Sequence, residues 1–144
     1  MSGNLEKAKT FAAREAIKYI EEPKIIGIGT GSTVGVLLKE MKGMNFLDKV
    51  FVPSSLETAL ILSSYGLNVA NPISVKKVDV YLDSADEVDR NMNMIKGGGA
   101  ALTTEKILAH FSKKIVFLVD CSKLVNRLGE KTPLPIEIIP QFTS

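Results

Sequence analysis

The chain has 144 residues, 45% of them apolar and 24% charged, with a formal net charge of +2. That length suits one domain with a real hydrophobic core, and the composition is ordinary for a globular protein. The charge is nearly balanced, the lysines are scattered and no basic run is interleaved with aromatics, which argues against a nucleic-acid partner. One cysteine, Cys121, and one histidine, His110, allow no intrachain disulfide and no Cys or His cluster for a metal. They also make Ser-His-Asp catalysis a poor fit. No apolar run approaches membrane-spanning length and the N-terminus is charged rather than signal-like, so a cytoplasmic protein with no membrane partner is expected.

In chain order, residues 4–21 place Leu5, Ala8, Phe11, Ala12, Ala16, Ile17 and Ile20 at helical spacing, and Pro23 helps to close that helix. Residues 24–29 (KIIGIG) form a short apolar run, as in a strand buried on both faces. A glycine-rich turn, Gly29-Thr30-Gly31-Ser32-Thr33, leads into a helical pattern from about Thr33 to Met41. Strand, glycine-rich turn and helix together present backbone N–H groups and a helix dipole to an anion.

Two better-known phosphate loops fail on this turn. A Walker A loop lacks its lysine, and a dinucleotide fingerprint starting at Gly27 and Gly29 meets Ser32 where its third glycine belongs. The second strand, Lys49 to Val52, runs into Pro53-Ser54-Ser55 instead of the acid that would hold a ribose. The hydroxyls of Thr30, Ser32 and Thr33 suit a small phosphate or a polyol.

Leu56 to Tyr65 reads as a third helix closed by Gly66, and Leu67 to Val69 as a short strand. Val78 to Leu82 is a β-branched run ending in Asp83-Ser84-Ala85-Asp86-Glu87, three carboxylates at the carboxyl end of a strand. Met92 to Ile95 leads into Lys96-Gly97-Gly98-Gly99-Ala100-Ala101-Leu102-Thr103-Thr104-Glu105. Three successive glycines are entropically unfavourable unless the backbone must approach a ligand or adopt positive φ. Thr103 reads as the N-cap of a helix to Phe111, with Glu105 in its first turn. Lys114 to Val119 is the most strand-like run, followed by Asp120-Cys121-Ser122-Lys123. Leu134 to Ile139, between Pro133 and Pro140, reads as an edge strand.

Strands and helices alternate, so the expected fold is α/β: a mostly parallel, Rossmann-like open sheet with helices on both faces. In such a sheet the Thr30 turn, the Asp83 cluster, the 96–105 loop and the Lys123 loop all lie at the carboxyl edge, where ligands bind. A lysine, bare amides and a carboxylate in one loop suit an oxygen-rich anionic substrate whose proton must be moved. Proton abstraction beside a carbonyl needs a positioned base and fixed positive charge where the oxyanion develops. Enclosure would raise the Glu105 pKa, whereas Lys96 and the helix dipole would lower it.

These four motifs, in this order and with Pro133 to Pro140 after them, resemble ribose-5-phosphate isomerase of the A type. The resemblance covers about residues 25–140. It implies an aldose–ketose isomerase of the pentose phosphate pathway, interconverting ribose 5-phosphate and ribulose 5-phosphate with no metal or other cofactor. It implies Glu105 as the base that moves a proton between C2 and C1 through an enediolate. Asp83 and Asp86 would hold sugar hydroxyls and assist ring opening, and Lys96 with the amides of Gly97, Gly98 and Gly99 would stabilise the enediolate oxygen. Thr30, Gly31, Ser32, Thr33, Ser84, Ala85, Lys123 and Lys9 would line the sugar phosphate.

The chain departs from the family in two places. Ser84 stands where the family commonly has glycine, a strained position if φ must be positive there. Family members also continue well past Ser144, into more sheet and a smaller α+β lid domain. The expectation for 1–144 is therefore a single catalytic-type α/β domain without that lid, with an apolar face exposed where it would pack. The full-length family implies a homo-oligomer, dimer or tetramer. The alternatives are a non-catalytic sugar-phosphate-binding module, which has no need of Glu105, and a coenzyme A transferase-like enzyme, which would use a glutamate as nucleophile. A sugar-phosphate deaminase would want a histidine, and His110 lies in a helix away from the motifs.

Overall fold

A computed structural model describes residues 2–138. Its elements are α1 (Ser2–Ile17), β1 (Ile25–Ile28), α2 (Ser32–Met41), β2 (Val50–Pro53), α3 (Leu56–Ser64), β3 (Asn68–Val69), β4 (Val80–Asp83), β5 (Glu87–Val88), β6 (Met94–Ile95), α4 (Leu102–Phe111) and β7 (Ile115–Phe117). Five strands form one parallel sheet in the order β3-β2-β1-β4-β7, and β5 and β6 pair antiparallel as a separate hairpin. The expected α/β class is what the chain adopts.

Strand alternation divides the core. Ile26 and Ile28 of β1, Phe51 of β2 and Val80 and Leu82 of β4 face one side, where Ala13, Ala16, Val34, Leu37 and Met41 of α1 and α2 cover them. Val52 and Tyr81 face the other side and pack on Leu108 of α4. Helices therefore lie on both faces. α3 closes as its sequence suggests. Gly66 takes φ +72, its N–H reaches the Ser63 carbonyl at 2.9 Å and the Leu67 N–H reaches the Leu62 carbonyl at 3.3 Å, a Schellman motif.

Four expectations need correction. Phe11 does not join the core: it is 70% exposed, and Ala13 takes the buried position on that helix. Thr103 is not the N-cap of α4; the cap is Ala101, without a side-chain bond, and the Thr103 hydroxyl donates to Glu137 instead. The run at 114–119 yields only a three-residue strand with Ile115 exposed, because β7 is the sheet's edge. Residues 134–138 form no strand, and Leu134, Ile136 and Ile138 stand in solvent. Pro133 and Pro135 each lack the N–H that a ladder needs. Ile139 and Pro140, the end of that expected strand, lie outside the described residues.

Apolar side chains also stand in solvent at the β2–β3 end, where Leu56, Ile73 and Ile107 border a groove. Among the described residues no helix is long and apolar enough to cross a membrane.

Gly27 of β1 and Gly29 just after it are required by β4. Gly27 pairs with Tyr81, and a Cβ on Gly27 would stand 2.8 Å from the Tyr81 ring. A Cβ on Gly29 would fall 2.2 Å from the Asp83 carboxyl carbon, inside any possible contact. The bare backbone at Gly27 and Gly29 is thus the space that Tyr81 and Asp83 occupy. Gly29→Ala should lower folding stability by about 1–3 kcal/mol, as overpacking does, read as an earlier urea midpoint. Gly35→Ala, in α2 with nothing within 4 Å of the added carbon, should instead be neutral or stabilise by up to about 1 kcal/mol.

Candidate active site

One cleft at the carboxyl edge of the sheet is lined by the 30–33 turn, residues 84–86, the 96–99 loop, Glu105 and Lys123. All four sequence motifs therefore meet. The turn positions its hydroxyls through neighbours: Ser55 Oγ donates to Thr30 Oγ1 at 3.1 Å, and Thr58 Oγ1 donates to the Gly29 carbonyl at 2.8 Å. Gly31 caps α2 at φ +106 with no side-chain bond, so the first-turn N–H groups are left for a ligand. Lys9 lies behind the turn, buried, with its Nζ donating to Ser32 Oγ at 3.2 Å. Lys123 arrives on a short 3₁₀ turn, Cys121–Lys123, whose start is capped by Asp120 Oδ1 accepting from the Ser122 N–H at 2.8 Å.

The acidic stretch divides into three environments. Asp83 does not face the cleft: it is fully buried beneath it. Its Oδ1 accepts from the Ser84 N–H at 2.7 Å, and its Oδ2 accepts from Tyr81 at 2.5 Å and from Lys96 Nζ at 2.7 Å. Asp86 lines the cleft and accepts from the Gly98 N–H at 2.9 Å, so that amide is already engaged. Glu87 points away. Its carboxylate, fully buried, accepts from the N–H groups of Gly129, Lys131 and Thr132 and ties that segment to β5. Burial pushes the Glu87 carboxyl up, but those backbone donors together hold it below its ordinary value. Ser84 is not among the non-glycine residues at positive φ, so serine is unstrained there. Its carbonyl accepts from Lys96.

Lys96 is fixed from several sides. Besides Asp83 and the Ser84 carbonyl, its Nζ stands 5.3 Å from the centre of the Phe117 ring. It also lies 3.2 Å from Glu105 Oε2. That is a charge contact, because Glu105 Oε2 accepts no hydrogen bond although the residue is only 4% exposed. Burial pushes the Glu105 carboxyl above its ordinary value; the Asp83 charge adds to this, and Lys96 only partly offsets it. The strand and helix periods explain the meeting. Tyr81 and Asp83 share one face of β4, and Glu105 and Leu108, three apart, share the inward face of α4 packed on it.

The loop that carries Lys96 is held open by geometry as much as by glycine. Gly97 takes φ +101 and Ala100 takes φ +57, with the Ala100 N–H closing a turn on the Gly97 carbonyl at 3.0 Å. A left-handed alanine costs on the order of 1 kcal/mol. Such strain beside a ligand cleft is where functional sites store it. Two positions had escaped the sequence reading. Tyr81 sits two residues before Asp83, a spacing that places both on one strand face, and Ser55 caps α3 while holding Thr30. Among the described residues no group of three or more His, Cys, Asp or Glu side chains could hold a metal ion.

The cleft holds a buried carboxylate paired by charge with a lysine, under a rim of hydroxyls and amides. Known proteins are similar to this chain in sequence and backbone. The sequence model of ribose 5-phosphate isomerase A (phosphoriboisomerase A) matches residues 50–144. A Pyrococcus horikoshii protein named ribose-5-phosphate isomerase A is 44% identical over 142 residues, covering 96% of this chain and 62% of that protein. A Blochmanniella floridana protein of the same name is 43% identical over 139 residues, covering 96% of this chain and 63% of that one. Among solved structures, a D-ribose-5-phosphate isomerase in complex with phospho-erythronic acid superposes with a TM-score of 0.88 at 43% identity, covering 95% of this chain and 62% of that one. The ribose 5-phosphate isomerase A of Methanocaldococcus jannaschii follows with a TM-score of 0.86 at 36% identity, over 94% of this chain and 62% of that one. This chain thus spans a little over three-fifths of the length of these relatives, and by sequence and by backbone it belongs to the ribose 5-phosphate isomerase A family.

Proposed function

We propose that this site interconverts ribose 5-phosphate and ribulose 5-phosphate. The observation that carries the reading is Glu105 Oε2, buried, without a hydrogen-bond donor, and 3.2 Å from the Lys96 ammonium. A carboxylate so placed is a poor structural element and a good base. In the open-chain aldose, Glu105 takes the proton from C2. The electron pair forms the C1–C2 double bond of an enediolate, and the negative charge on O1 is met by Lys96. Glu105 then returns the proton to C1 while the O2 proton moves to O1, which leaves the ketone at C2. Asp86 accepts from a sugar hydroxyl, and Asp83 acts from below by holding Lys96.

The phosphate end is the turn at 30–33, with the α2 N-terminus behind it and Lys123 opposite. Phospho-erythronic acid in the similar structure carries a phosphate and an acid on one short carbon chain. That matches a cleft with an anion turn at one end and Lys96 at the other. The same reading makes the protein a cytoplasmic enzyme of the pentose phosphate pathway, working as a homo-oligomer.

Conversion of ribose 5-phosphate by this chain in the presence of a chelator, beside Glu105→Gln, tests the reading. Loss of at least about a hundredfold in kcat, the usual scale for a general base, with ligand-induced thermal stabilisation retained, is expected. Activity near that of the parent chain would mean another base. Stability gives a second readout. The native Glu105 pKa is raised, so the native state binds the proton more tightly than the unfolded chain, and the parent loses stability as pH rises through that window. Glu105→Gln should therefore raise the melting temperature near neutral pH, with the gain shrinking toward pH 4. Lys123→Ala should weaken phosphate-bearing sugars far more than free ribose; equal loss for both would place the phosphate elsewhere.

A further inference from the structure

Tyr81 is the largest of the fully buried side chains, and the proton transfer described above makes no use of it. Its hydroxyl donates to Asp83 Oδ2 at 2.5 Å. The same oxygen accepts from Lys96 Nζ at 2.7 Å, and Lys96 Nζ stands 3.2 Å from Glu105 Oε2. One line of contacts therefore runs from the centre of the sheet to the base at the cleft floor. The ring packs directly on the β1 backbone: a Cβ on Gly27 would stand 2.8 Å from it. Burial and the neighbouring Asp83 charge push the phenol well above its ordinary value, so it stays protonated and serves as donor. A phenylalanine would fill the same space. The hydroxyl is retained next to a carboxylate that already has two other donors.

We propose that Tyr81 is a positioning residue for this reaction. Its hydroxyl shares Asp83 Oδ2 with Lys96 and takes up part of that oxygen's charge, so that the ammonium, 2.7 Å from Asp83 and 3.2 Å from Glu105, keeps part of its field on Glu105. This rests on the isomerase reading, because the ammonium so placed is the one that meets the developing oxyanion. Glu105 is faced by Asp83 and Tyr81 from β4, by Asp86 from the loop after it and by Lys96. Among these only Lys96 favours its ionised form. Removing the phenol oxygen leaves Asp83 Oδ2 to Lys96 alone, strengthens that pair at the expense of the contact with Glu105 and leaves Glu105 harder to ionise.

The test is Tyr81→Phe in the 144-residue chain, read two ways. First, the Glu105 carboxyl is titrated by carbon-13 NMR without substrate, where the midpoint should move to higher pH than in the parent. Second, steady-state isomerisation should show kcat down on the order of tenfold, as for a small misplacement of a catalytic group, with KM within about twofold and the acid limb of the pH profile displaced upward. An unchanged Glu105 midpoint in a folded Tyr81→Phe protein overturns the proposal whatever the activity. If the parent chain itself fails to isomerise, the functional reading falls while the titration still decides the role of Tyr81. Should Tyr81→Phe not fold, the parent protein supplies the answer. A far-downfield, exchange-protected hydroxyl proton that is lost in Asp83→Asn supports the contact, and a freely exchanging one overturns it.

Discussion

The fully buried carboxylate of Asp83 is the constraint on which the rest of this structure depends. Taking one ionised oxygen pair out of water costs several kcal/mol unless the site returns equivalent bonds. Here the return comes from the Ser84 N–H, the Tyr81 hydroxyl and the Lys96 ammonium. Each donor imposes a further demand. Tyr81 and Asp83 need bare backbone beside them, and glycine stands at 27 in β1 and at 29 just after it. Lys96 must reach down from its loop, which forces the turn at Gly97 and Ala100 and brings the Gly98 amide onto Asp86. With the cation drawn to Asp83, Glu105 is left beside a positive charge but without a hydrogen bond.

Much of this could be read in advance. The order of strands and helices, the glycine-rich turn and the meeting of four loops at one sheet edge follow from apolar periodicity and from the rule that parallel strands expose their carboxyl ends together. What escaped had physical reasons. With the dinucleotide fingerprint rejected at Ser32, the sequence offered no account of Gly27, and the service of Gly27 and Gly29 to the partner strand is not visible until β1 is laid beside β4. Asp83 looked like a ligand contact because acidic turns at strand ends usually are exposed, and its Tyr81 partner was hidden inside an apolar run. Thr103 had the chemistry of a cap, but the helix starts from the Ala101 backbone, two residues earlier. The run at 134–138 alternates like a strand, and two prolines remove the donors that pairing requires.

The acidic cluster shows how little residue type alone determines. Asp83, Asp86 and Glu87 stand within five residues, yet alternation and a turn send one under the cleft, one into it and one to the far side. Glu87 is held by backbone N–H groups alone, which lower its pKa and use it as a clasp for residues 129–132. Glu105 has the opposite surroundings: an enclosing wall, a like charge nearby and no donor on Oε2, so its pKa rises. Two glutamates of equal intrinsic acidity are thus driven apart. The one satisfied by donors holds the structure, and the one left without a donor on Oε2 is the one proposed as the base.

The choice of lysine at position 96 follows from the same geometry. Its ammonium meets Asp83 Oδ2, the adjoining Ser84 carbonyl and Glu105 Oε2, three acceptors on two segments, the end of β4 and α4. A compact charge with three rotatable donors can address all of them, whereas the flat guanidinium fork of arginine suits one carboxylate taken edge-on. An arginine here would settle on Asp83 with two bonds and turn its charge away from Glu105 and from any oxyanion above it. The point charge does the opposite: it neutralises the buried acid while keeping part of its field directed into the cleft. A cation divided in this way is less stabilising than one fully paired, and that residual imbalance is what an oxyanion forming above it would relieve.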